Sequence, residues 1–303
     1  MGRWEFLGRD EWKITTSRIK NRINEINKLR PVNPYFQVRR FHGFYIQRLS
    51  DSLVRSRSVF STQSTTSCGG TSQGFDQVIR TREQRNKELD VILDKKRLEK
   101  ILSQPESTMA TGRLTVHDLK SLQGSNWLND AIINNFLDLL VSDSPDKEKL
   151  WVFSSFFLPK FIQGGYQGVK RWTRGTDVLS KEVVLFPIHQ GSNHWCLAVA
   201  QIQQRLLWYF DSLGGKGHHH LRNLNSYFKQ LAADSQRPFT DFITECHSNV
   251  PLQENGYDCG MFALCFAKDI IKSLDVPPFF SFSQKDIRSL RISFSLQLLS
   301  LTS

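Results

Sequence analysis

Pro251-Leu-Gln-Glu-Asn-Gly-Tyr-Asp-Cys-Gly-Met-Phe262, continued by the apolar run Ala263 to Ile271, is a polar segment that opens into a buried helix. Phe262, Cys265, Phe266 and Ile270 recur at helical spacing and can face a core. Gly256 and Gly260 permit backbone that a Cβ would resist. Cys259 therefore stands at a helix start, where exposed N–H groups and the helix dipole stabilise a thiolate. Free cysteines are also among the most buried residue types. On this stretch alone Cys259 is either a core cysteine or a nucleophile, and a nucleophile needs a base.

Upstream lie three short apolar runs: Val183 to Ile188, His194 to Ala200 and Leu206 to Phe210. Gln203-Gln204 reads as the turn joining the last two into an antiparallel pair. Such a pair brings the start of one strand beside the end of the next, so His194 and Asp211 become neighbours. That is the arrangement in which an acid holds an imidazole in one tautomer. Cys259, His194 and Asp211 then fill the roles of nucleophile, base and orienter. The Gln253 amide and the Cys259 backbone N–H can face a developing oxyanion. Taken singly, the bland readings are a core histidine, a turn aspartate and a surface amide. His189 is a rival base farther from the strand start. Cys196 is a poor rival nucleophile because alternation buries it in a strand.

The compact domain is expected over 113–303. Thr115 is a cap candidate, and Ala131 to Val141 a helix with Ile132, Ile133, Phe136, Leu137 and Leu140 inward. Trp127 reads equally as core or as a ligand wall. Val152 to Phe157 reads as a strand or helix start, Gly164 to Gly168 as a loop, and Leu221 to Ala233 as an amphipathic helix. A short strand is expected between Phe239 and Cys246. His218-His219-His220 reads as an exposed loop rather than a metal contact.

Charge is unevenly spread. Residues 1–100 hold 21 Lys+Arg against 11 Asp+Glu, and residues 101–303 hold 19 against 18. Almost the whole formal charge of +11 thus lies in a basic extension, 1–82, followed by an amphipathic segment, 83–104, with Leu89, Ile92, Leu93, Leu98 and Leu102. The Ser- and Thr-rich stretch Ser50 to Gln73 reads as disordered. The arm suits an acidic partner, a membrane surface or an import receptor; nucleic-acid binding lacks a recognition motif. Five cysteines without paired spacing make no disulfide scaffold and no structural zinc set. No signal-like run and no membrane-length apolar run stands out, so a reducing, intracellular setting is expected.

The domain resembles the SUMO-specific (Ulp/sentrin-specific) cysteine proteases, relatives of the adenovirus protease. The resemblance is carried by Trp127-Leu-Asn-Asp130, Phe156-Phe157, Val169-Lys-Arg-Trp172, Pro187-Ile188-His189, His194-Trp-Cys-Leu-Ala198, Tyr209-Phe-Asp211-Ser-Leu-Gly-Gly215 and Gln253 through Gly260, in the family's order. It implies an α+β, papain-like cysteine-proteinase fold with catalytic order His, Asp, Cys. It implies catalytic roles for His194, Asp211 and Cys259, with Gln253 in the oxyanion hole. Trp127 and Trp195 would line a narrow tunnel over a Gly-Gly tail, where any Cβ would clash. The implied activity is release of SUMO from conjugated proteins, maturation of SUMO precursors, or both, without a cofactor. The implied compartment is the nucleus, with the cytoplasm second. Alternatives are a protease for another ubiquitin-like modifier such as NEDD8, and a catalytically impaired SUMO-binding protein.

One departure bears on that last alternative. The family closes with a long amphipathic helix, whereas Leu290, Ile292, Phe294, Leu296 and Leu298 alternate as in a strand. A strand-like C-terminus is the expectation.

Overall fold

A computed structural model describes residues 94–300, which lie within the unit Asp76–Ser303. The basic extension 1–82 and the first part of the 83–104 segment fall outside the described residues. Residues 94–102 are helical, and Leu98 is buried with the main core.

The elements are α1 (Val116–Lys120), α2 (Asp130–Ser142), β1 (Leu150–Val152), α3 (Phe157–Val169), β2 (Val183–Gln190), β3 (His194–Gln201), β4 (Leu206–Phe210), α4 (His218–Asp234), β5 (Ile243–Cys246), α5 (Cys259–Ser273) and α6 (Ile287–Ser300). The five strands form one sheet in sequence order. β2–β3 and β3–β4 are antiparallel, while β1 and β5 add in parallel at the two edges.

The period of two along a strand divides the core. Trp195, Leu197 and Val199 of β3 join an apolar cluster with α2, α5 and α6. Cys196, Ala198 and Ala200 face the opposite side, with α3 and α4. The strand is thus buried on both faces, which is why its sequence reads as a nearly continuous apolar run.

Local signals set the helix starts. Thr115 forms a capping box with Asp118, and Asn129 accepts the Ile132 N–H at 3.0 Å. In α2 Leu139 takes the fully buried position expected for Leu140, which is only partly covered.

Three expectations are corrected. Gly164 to Gly168 is not a separate loop: it lies inside α3, broken at Gly165 (φ 59°, ψ −164°). His218, His219 and His220 form the first turn of α4, with His220 buried against Tyr209. The C-terminus is a helix, not a strand. Ile287, Arg291, Phe294 and Leu298 share its buried face, and Phe136 stacks on Phe294 with ring centroids 4.0 Å apart. The alternating apolar residues misled because one buried position is an arginine.

Candidate active site

Leu197 pairs with Phe210 across the β3–β4 hairpin, so the start of β3 lies beside the residue that follows β4. His194 Nε2–H donates to Asp211 Oδ1 at 2.7 Å, and their side chains are only 14% and 5% exposed. Asp211 Oδ1 also accepts the Leu213 N–H at 2.8 Å. Gly215 presses so closely on the carboxylate that a Cβ there would overlap Asp211 Oδ2.

His194 is pushed up to about 12, first by its bond to Asp211 and then by the Cys196 and Cys259 sulfurs, against the opposing effect of burial. Burial alone would raise Asp211, but His194 and the Leu213 N–H together hold it below its ordinary value. With Nε2 committed to Asp211, Nδ1 is the ring atom left for a second partner.

Cys259 is the first residue of α5 and is buried. Its neighbour Gly260 permits this approach: a Cβ there would come within 2.9 Å of Leu128 Cβ. Gly256 is different, because a Cβ there would meet open space and its φ is not left-handed. Its contribution is its carbonyl, which accepts Trp127 Nε1–H at 2.9 Å. The expectation of a steric need for glycine is therefore met at 260 and corrected at 256.

Gln253 is buried and fixed from three sides. Its N–H donates to Ser212 O at 3.0 Å, its Oε1 accepts from Ser212 Oγ at 2.6 Å, and its Nε2 donates to Asn255 O. An amide nitrogen carries two hydrogens, so one remains for another acceptor.

The two tryptophans differ. Trp127 is 53% exposed, whereas Trp195 is 2% exposed, stacked on His189 at 4.1 Å and bonded through Nε1 to Leu128 O at 2.8 Å. His189 is thus engaged as a packing partner, and burial pushes it below its ordinary value. Cys196 neighbours His194, yet its thiol is buried and pushed upward by desolvation. Cys265 is pushed further upward for the same reason. Among the described residues, His194, Cys196 and Asp211 are the cluster whose ligand atoms lie close enough for a metal ion, but these are the groups already engaged here. His220 has both ring nitrogens without partners, and burial holds it down to about 4.

Asp258, in the N-cap position of α5, is bonded to Asn255, Gln284 and Arg291. These groups leave no signal in the sequence, since no spacing rule links Asp258 to a residue 33 positions later.

Residues 126–301 match the Ulp1 protease family, C-terminal catalytic domain. The chain belongs to the Ulp1 protease family. Human sentrin-specific protease 2 is 38% identical over 162 residues, covering 51% of this chain and 27% of that protein. Mouse sentrin-specific protease 5 is 36% identical over 183 residues, covering 59% and 23% respectively. The chain therefore spans about a quarter of the length of these curated relatives. The C-terminal Ulp1 protease domain, solved in complex with Smt3, the yeast ortholog of SUMO, superposes with a TM-score of 0.60 at 28% identity. That match covers 68% of this chain and 94% of that chain. Ulp1 with its catalytic cysteine oxidized to a sulfinic acid gives the same TM-score at 27% identity, again covering 68% and 94%. The fold is thus the α+β, papain-like cysteine-protease fold of the Ulp1 family, in which the site residues follow the order His, Asp, Cys.

Proposed function

We propose that this chain is a thiol protease that releases SUMO from conjugated proteins and trims SUMO precursors after their C-terminal Gly-Gly. The observation that carries this reading is the 2.7 Å bond from His194 to Asp211, with the Cys259 sulfur acting on the same ring. SUMO precursors and SUMO conjugates are accordingly the assigned partners.

In this reading His194 takes the Cys259 proton, and the sulfur attacks the terminal glycine carbonyl. Asp211 keeps the imidazole oriented and favours the imidazolium. The Cys259 backbone N–H and the second Gln253 amide N–H receive the oxyanion. The C–N bond breaks, and the departing amine takes the proton from His194. The same histidine deprotonates a water, which attacks the thioester and returns the thiol. Trp127 and Trp195 are assigned to the walls of the slot that admits the two glycines.

The test is a panel of C-terminal electrophiles made from each ubiquitin-like modifier. A covalent adduct with the SUMO probe, absent in Cys259→Ser, is expected. Reaction with the NEDD8 probe alone would overturn the substrate assignment, and binding without any adduct would favour the impaired binder.

For chain organisation, we assign 113–303 to catalysis, 83–104 to a helical segment and 1–82 to nuclear import through an import receptor, with the cytoplasm as second compartment. The support is the basic excess of the N-terminal third. Deleting 1–82 is expected to redistribute the protein in cells while cleavage of a soluble precursor persists. Loss of cleavage at normal folded yield would contradict this division.

A further inference from the structure

α6 carries a buried cation over the nucleophile turn. The Arg291 and Asp258 side chains are each 5% exposed. Arg291 Nε–H and Nη2–H both donate to Asp258 Oδ1, at 3.0 and 2.7 Å. Nη2 also reaches the carbonyls of Tyr257 at 3.3 Å and Asn126 at 3.0 Å, and Nη1 reaches that of Ser121 at 3.3 Å. The other carboxylate oxygen, Asp258 Oδ2, accepts from Asn255 Nδ2 at 2.7 Å and Gln284 Nε2 at 2.8 Å. One guanidinium therefore joins the residue before Cys259 to the residue before Trp127.

We propose that Arg291 is a positioning residue that sets the spacing between the Trp127 wall and the Cys259 sulfur. This rests on the proteolytic reading above. The Trp127 bond to Gly256 O closes the same gap from the outside. Asn255 extends the frame toward the oxyanion side: its Oδ1 accepts the N–H groups of Tyr257 and Asp258 at 3.1 and 3.0 Å, and its carbonyl accepts from the Gln253 amide. Disturbing Arg291 thus disturbs the nucleophile and the oxyanion donor together. A folded modifier binds mainly through its own surface, so the loss falls on kcat rather than KM. A lysine keeps the charge but lacks the planar fork that spans a carboxylate and three carbonyls.

The test uses the full chain with Arg291→Lys, Arg291→Gln and the pair Asp258→Asn with Arg291→Gln. Turnover of a SUMO C-terminal fluorogenic amide gives kcat and KM. Alkylation of Cys259 by iodoacetamide reads the thiol without any modifier, and circular dichroism checks folding. Arg291→Lys is expected to hold KM within about threefold while kcat falls about ten- to hundredfold, with an altered alkylation rate. The double variant, free of an unpaired buried carboxylate, is expected to be more stable than Arg291→Gln yet to keep a kcat about ten- to hundredfold below wild type. A folded Arg291→Lys with wild-type kcat and alkylation rate overturns the proposal, as does a change confined to KM. If either single variant fails to fold, the double variant is compared with wild type by the same readouts and criteria. If the wild type cleaves no modifier, the alkylation rates decide alone, so failure of the proteolytic reading stays separate.

Discussion

The indole N–H of Trp195 donates to the carbonyl of Leu128 at 2.8 Å, tying the residue after His194 to the residue after Trp127. Both groups are buried, so loss of the donor strands a carbonyl away from water. Trp195→Phe keeps most of the apolar ring and is expected to cost about 1–3 kcal/mol in urea unfolding. Trp195→Ala also empties a core site and is expected to cost about 3–5 kcal/mol. A Trp195→Phe variant as stable as wild type would show that the hydrogen bond contributes nothing.

Gly260 tests the contact between α5 and Leu128. In Gly260→Ala the new methyl must push against Leu128 Cβ and Cγ, at 2.9 and 3.0 Å. The expected cost is about 1–3 kcal/mol, with a fall in turnover as Cys259 shifts. Adding Leu128→Ala removes the Cγ and Cδ1 contacts and leaves only that with Cβ, so the double variant should be more active than the sum of the single losses implies. Simple additivity in a kinetic double-mutant cycle would count against this contact as the cause.

Asp211→Asn is expected to lower kcat by about three to four orders of magnitude, since the amide cannot hold the imidazolium in place. The measurement is burst and steady-state turnover on the SUMO-derived amide. A drop of less than tenfold would sink the orienting role.

The same pair sets a pH signature in stability. His194 is raised from 6.5 to about 12, so its contribution is fully present below about pH 6.5 and is lost as pH rises toward 12. Asp211 is lowered from 3.8, so its contribution is present above about that pH and is lost as pH falls through the lowered value. The stability gap between wild type and Asp211→Asn is therefore widest at weakly acidic pH and narrows from neutral pH upward. Urea midpoints of both proteins at pH 5, 7 and 9, with roughly one proton linked, check the sign; a gap that grows above neutrality would contradict it.

Much of this was legible in the residues because it is local. β4 matches its sequence run, and β2 and β3 extend theirs by at most two residues, since apolar runs bounded by turn residues leave little choice. The nearness of His194 and Asp211 followed from one hairpin. What escaped depends on contacts distant in sequence or on single backbone angles. Arg291 spoiled the apolar periodicity of α6 by occupying a buried position explained by its bonds to Asp258 and to the carbonyls of Ser121, Asn126 and Tyr257. Gly165 breaks α3 without ending it, and His220 is buried because Tyr209 packs over it. The fold assignment itself needed the ordered family motifs, as no single turn identifies it.

The order of the site along the chain also has a consequence in time. His194 and Asp211 meet within one hairpin, 17 residues apart, whereas Arg291 follows Asp258 by 33. Synthesis proceeds from the N-terminus at about 5–20 residues per second. The acid and the base therefore leave the ribosome seconds before the helix that pins the nucleophile turn. In the proposed reading the acid and the base are thus made before the helix that holds the nucleophile turn, and alignment of the sulfur waits for α6.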